Sequence, residues 1–182
     1  MLVSIDGAGA SHDVIDYLTS LNSASEHGRR GRRVEYTIGW PVDERTLGGI
    51  EQLRHSDWGA AVHTDGEVDP AAQVADLTGI LRHGPHGDRL ASWPADMRII
   101  ARRTPRPATK PAKLGEHLDW EYGAFATNTP SGQLQFLDAR HRTQAHVEDR
   151  MKQFKPAAPA TCPRSTTAAT PPGCSWPPWP PR

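Results

Sequence analysis

The sequence predicts a mixed α/β fold, and three observations predict it. A β-prone run at the start turns directly into a helical pattern, the stretches 34–40 and 97–102 alternate as strands do, and 134–155 contains no Pro or Gly. Apolar residues recurring at period two mark a half-buried strand, and recurrence at three to four marks a helix.

The elements follow in order. Leu2-Val3-Ser4-Ile5-Asp6 is the first strand, with Asp6 at its C-terminal end, and Gly7-Ala8-Gly9-Ala10 is small enough for a tight turn. Ser11 then serves as N-cap for a helix whose apolar stripe is Val14, Ile15, Leu18 and Leu21. Val34, Tyr36, Ile38 and Trp40 alternate with polar or small residues, and Pro41 ends that strand. Asp43 caps a helix carrying Leu47, Ile50 and Leu53, and beyond Trp58 the Thr64-Asp65-Gly66 turn leads to a strand at Gln73-Val74-Ala75-Asp76-Leu77. Met97, Ile99 and Ala101 alternate with Arg98, Ile100 and Arg102 in a strand whose partner is Trp120 to Ala126. The last helix covers most of 134–155, with Val147, Met151 and Phe154 at i, i+4 and i+7.

Composition sets the limits of this unit. The chain has 182 residues, room for one ordinary domain, and nine of its 17 prolines fall from Pro156 onward. That segment has no periodicity and too little apolar area to offset chain entropy, so the expected division is a folded part over 1–155 and a disordered tail over 156–182. Cys162 and Cys174 both lie in the tail, away from any core that would hold a disulfide, and no Cys or His pair completes a zinc spacing. With no leader-like segment and no long apolar run, a cytoplasmic protein without membrane contact is expected. The formal net charge is zero, so bulk electrostatics favour no polyanion. Two local patches remain: Arg29, Arg30, Arg32 and Arg33, and an acid-free run with Arg98, Arg102, Arg103, Arg106, Lys110 and Lys113. Each alone reads more simply as a solvated loop.

The polar face of the last helix carries the most specific pattern. Seven helical positions return to nearly the same azimuth, so His141, Glu148 and Lys155 stand in line, with Gln144 one turn before Glu148. Spacing alone favours a solvated charged face with pairs such as Glu148 and Lys152. Asp6 alone would be a turn or cap residue.

Two separated blocks bear on these acids: 2–10, and Gly123-Ala124-Phe125-Ala126-Thr127-Asn128-Thr129 running through Arg140-His141-Arg142 to Glu148-Asp149-Arg150-Met151-Lys152. Trp93-Pro94-Ala95-Asp96-Met97-Arg98 adds a third. Together they resemble the DDE-type transposases of bacterial insertion sequences, in the group whose last catalytic helix carries a Tyr-Arg-Glu-Lys pattern. The resemblance implies a partial ribonuclease-H-like transposase catalytic domain over 1–155, with a β-rich insertion at about 34–126. It maps Asp6 onto the family's second Asp, Glu148 onto its Glu, and Lys155 onto a Lys that contacts DNA. Asp6 and Glu148 would then be catalytic ligands of Mg²⁺ or Mn²⁺, in hydrolysis and rejoining of DNA phosphodiesters at transposon ends.

Departures accompany the matches. The family's first Asp would belong to a strand preceding Met1, His141 stands at the pattern's Tyr, and Gln144 replaces its Arg, removing a cation. The expectation is therefore a C-terminal transposase fragment, inactive alone. The alternative is a DNA-binding or inhibitory remnant that contacts transposon ends or an intact transposase. An unrelated small α/β binding domain is the third reading.

Overall fold

The computed structural model describes residues 1–5, 11–26, 33–85, 87–107 and 119–143. The chain divides into two compact units, Met1–Val147 and Glu148–Arg182, and every described residue belongs to the first. Its elements are β1 (Leu2–Ile5), α1 (His12–Glu26), β2 (Glu35–Trp40), α2 (Glu44–Ile50), β3 (Gly59–Val62), β4 (Val68–Asp76), α3 (Thr78–His83), β5 (Arg98–Pro105) and β6 (Trp120–Thr127). A further helix, α4, occupies 134–143 within the described residues. The expected continuation of this helix to 155 and the Pro-rich tail lie outside them.

The strands form one mixed sheet of six, in the order β1-β2-β6-β5-β4-β3. β1 and β2 are parallel, with Ser4 opposite Thr37, and every other pair is antiparallel. A parallel pair cannot be joined by a tight turn, and α1 supplies the crossover. The strands over 34–126, read from the sequence as an insertion, are therefore hydrogen-bonded into the same sheet as β1.

Local chemistry accounts for most boundaries. Ser11 Oγ accepts from Val14 N–H at 3.4 Å at the start of α1, and Asp43 caps α2 by accepting from Thr46 N–H at 2.9 Å. The turn between β3 and β4 places Gly66 at φ 91°, a left-handed conformation that costs glycine little. Within β4, Pro70 falls where the β3 register shifts between Ala60 and Ala61, an irregularity that tolerates its missing N–H.

Both faces of the sheet are covered. On one, Ile15 and Leu18 of α1, Ile50 of α2 and Leu81 of α3 pack over Tyr36, Ile38, Trp40, Ile99 and Ala126. On the other, Leu134 and Leu137 of α4 pack over Ala61, Val74, Ile100 and Phe125. The expected stripe of α1 is only half used: Ile15 and Leu18 are buried, whereas Val14 and Leu21 are exposed. Among the described residues no helix is long and apolar enough to cross a membrane.

Candidate functional site

Ligand sites in open α/β sheets gather at the carboxyl ends of parallel strands. Here that end is where β1 stops at Ile5 and β2 at Trp40. Asp6 is the next residue after β1 and lies outside the described residues, as do Glu148, Lys155 and Gln144. Their separation is therefore not defined. Among the described residues no group of three His, Cys, Asp or Glu is placed to hold a metal ion.

What surrounds this end is an aromatic wall. His12, the first residue of α1, stacks on Trp93 with ring centroids 3.7 Å apart. Trp93 meets Trp40 edge-on at 5.2 Å, and the Arg89 guanidinium lies 4.9 Å from the centroid of Trp40. Arg89 also pairs with Asp43 Oδ2 at 2.7 Å. Burial pushes the Asp43 carboxyl up, but hydrogen bonds from Thr46 and the Arg89 charge outweigh it and hold the acid below its usual range. The Trp40 indole N–H donates to Thr46 Oγ1 at 3.3 Å, so the wall is tied to the cap of α2.

The α4 face holds a second polar cluster, crossing three strands. Arg102 on β5 donates to Asp138 of α4 at 2.6 Å and to Asp69 of β4 at 3.0 Å. Arg142 donates to Asp138 at 3.1 Å and to the carbonyl of Val62. Asp138 is 1% exposed, and burial raises its pKa against the pull of Arg102 and Arg142. Nearby, Arg140 pairs with Glu35 at 2.8 Å. Burial raises the Glu35 carboxyl, and hydrogen bonds from Thr129 and Arg140 more than offset this, leaving it lowered.

Of the polar face read along the last helix, only His141 is described, and Gln144, Glu148, Lys152 and Lys155 lie outside the described residues. His141 faces the sheet: its Nδ1 is 2.7 Å from Thr37 Oγ1, and its ring stacks on Phe125. Burial lowers its pKa to about 4, so the imidazole is neutral near pH 7. Leu134, Leu137, Asp138 and His141 follow i, i+3, i+4 and i+7, a sheet-facing stripe half apolar and half polar. Hydrophobicity alone misses such a stripe. The one readable signal was Asp138 four residues before Arg142, a helical ion-pair spacing.

The second basic patch is corrected over the residues described. Arg98, Arg102 and Arg103 belong to an interior strand, not a solvated loop, and acids distant in sequence engage two of them: Asp76 holds Arg98, and Asp69 and Asp138 hold Arg102. Arg103 is sandwiched between Trp58 at 4.3 Å and Trp120 at 4.5 Å. Arg33 pairs with Asp96 at 3.1 Å. Arg29, Arg30, Arg32, Lys110 and Lys113 lie outside the described residues. A cavity of about 440 Å³ lies between the 63–66 turn and α4, lined by His63, Gln133, Phe136 and Arg140. It sits beside β3, the opposite edge of the sheet from β1.

Comparison with protein families, characterised proteins and solved structures finds no match for the chain.

Proposed function

We propose that the chain carries part of a DDE-type transposase catalytic domain, of ribonuclease-H-like fold, acting on DNA phosphodiesters at transposon ends. The observation that supports this reading best is the parallel β1-α1-β2 unit with an Asp immediately after its first strand. In that position an acid follows the carboxyl end of a strand, where open sheets collect their ligands. The placement of α4 on the face opposite α1 is a further point in favour, because a sheet covered on both sides is what a parallel unit requires. Glu148 and Lys155 are assigned by the sequence resemblance alone. Asp6 and Glu148 are the acids proposed to bind Mg²⁺ or Mn²⁺, whose part in the family's chemistry is to activate the attacking hydroxyl and stabilise the leaving oxygen.

The test has two arms. Mn²⁺ binding to the 182-residue chain, followed by calorimetry, is expected to fall in Asp6→Ala and in Glu148→Ala; unchanged binding in both variants would overturn the assignment. On a labelled duplex, salt-sensitive binding without nicking is expected, since two carboxylates hold a two-metal site poorly. DNA binding with no metal dependence at either acid would select the DNA-binding or inhibitory alternative. Robust nicking abolished by Glu148→Ala would show that this chain suffices for catalysis.

A further inference from the structure

α4 has a second stripe besides the one spent on the sheet. Phe136, Arg140 and Thr143, at i, i+4 and i+7, share one side of the helix, and across from them stand His63, Thr64 and Gly66 in the turn after β3. The cavity between these two walls, about 440 Å³, falls within the size range of sites that hold small organic molecules. It lies beside β3, far across the sheet from β1 and the acid that follows it.

Three features of the lining point to one kind of ligand. Phe136 is 59% exposed, so its ring is open to a flat partner. Gln135 is half-buried, yet among the described residues its amide has no hydrogen-bond partner, and neither has the amide of Gln133. Gly59 leaves room for the Gln135 amide, because a Cβ at position 59 would stand 2.9 Å from its Nε2. The ionisable groups among the described lining residues are His63 and Arg140, with no carboxylate, and Arg140 already pairs with Glu35.

We infer that this cavity binds a nucleobase-type heteroaromatic ring, stacked on Phe136 and held at its edge by the amides of Gln133 and Gln135, with any attached charge negative. A carboxamide sets a donor beside an acceptor, the pattern that the N6 amine and N7 of adenine match. Every base also has a π face that stacks on an aromatic ring. An aliphatic ligand would cover both amides without pairing them, which is costly, and a cationic ligand would meet no acid in the lining. The ring arrives either on a free nucleotide or on a single strand of nucleic acid, with the same chemistry in the cavity. The inference does not rest on the transposase reading.

The experiment titrates the ¹⁵N-labelled full chain with adenosine 5′-monophosphate, with a short oligodeoxyadenylate, and with spermidine. The amides of Gly66 and Thr143, one on each wall, are expected to shift together with an adenine probe and to stay in place with spermidine. Shifts with the monophosphate assign the cavity to a free nucleotide, and shifts with the oligonucleotide alone assign it to a strand. Phe136→Ala, at an exposed position, should weaken binding about tenfold, the loss of one base–aromatic stack, whereas Phe136→Tyr should retain it. Gln135→Ala should weaken binding as well, with circular dichroism confirming the fold of each variant. Asp6→Ala should leave this binding unchanged, which separates a failure here from a failure of the metal assignment. No shift at Gly66 and Thr143 with either adenine probe at millimolar concentration would overturn the proposal. Equal affinity in Phe136→Ala, or the same shifts with spermidine, would overturn it too.

Discussion

His141 lies nearly flat on Phe125, with ring centroids 4.5 Å apart and 9° between the planes. One aromatic pair thus joins α4 to β6, while the same imidazole bonds to Thr37 of β2.

This arrangement makes stability depend on pH. The folded His141 has a pKa of about 4 against an ordinary 6.5, because burial disfavours the imidazolium. Between those values the unfolded chain takes up a proton that the folded chain refuses. Its contribution is thus fully present above about pH 6.5 and lost as pH falls toward 4, by on the order of 3 kcal/mol. Urea melts at pH 7 and at pH 4.5 should show this loss, and His141→Gln should flatten it. An equal pH slope in the variant would refute the assignment.

Asp138 is a buried carboxylate held by two arginines. Among the described residues, Asp138→Ala leaves Arg142 with only the Val62 carbonyl and Arg102 with only Asp69. Breaking one side of a buried pair typically costs about 3 to 5 kcal/mol, and that is the loss expected in chemical denaturation. Replacing both partners with apolar residues, Asp138→Leu with Arg102→Met, should recover part of it. A double variant no more stable than Asp138→Ala would contradict this account.

Asn128 seals the junction of β2 and β6. Fully buried, it accepts from Tyr36 N–H through Oδ1 at 2.8 Å and donates to Val34 O through Nδ2 at 3.1 Å. Asn128→Ala strands a buried backbone donor, at a cost of about 1 to 3 kcal/mol. Hydrogen exchange should locate the damage: the Tyr36 amide is expected to lose protection, while amides of β4 keep theirs relative to the new global stability.

Gly49 sets how closely α2 approaches α3. A Cβ placed there would stand 2.9 Å from Leu81 Cδ2 and 3.5 Å from Leu77 Cδ1. The nearer contact is the end of a flexible side chain, so Gly49→Ala should stay within about 1 kcal/mol of the parent, helped by better helix propensity. Gly49→Val has no such outlet and should cost about 1 to 3 kcal/mol by overpacking. Thermal melts of the pair decide it; equal midpoints would mean the helices are free to part.

How much of this was legible depended on distance along the chain. The alternation of Tyr36, Ile38 and Trp40 predicted β2, and it predicted the correct inner face, because that pattern is local. It did not predict that Thr37 is also buried, since α4 covers it from a hundred positions away. The partnership of β5 and β6 was readable from two facing runs, but not the insertion of β2 between β6 and β1. β3 was missed because Gly59-Ala60-Ala61-Val62 has almost no β-branched signal. α3 was missed because its six residues start without a side-chain N-cap. Of the candidate site, the strand before Asp6 was legible and is present, whereas Asp6, Glu148 and Lys155 themselves lie outside the described residues.

The place of β2 in the sheet has a consequence for the nascent chain. Thr37 pairs with Thr127, ninety positions later. A ribosome adding residues at 5 to 20 per second needs roughly 5 to 18 seconds to supply that partner. Throughout that interval β2 has at most β1 beside it and shows its other edge, with Tyr36, Ile38 and Trp40, to the surroundings. Emerging β-edges of this apolar kind are what holdase chaperones cover and what neighbouring chains on a polysome can capture. The hazard ends only when β6 has been made and closes the gap.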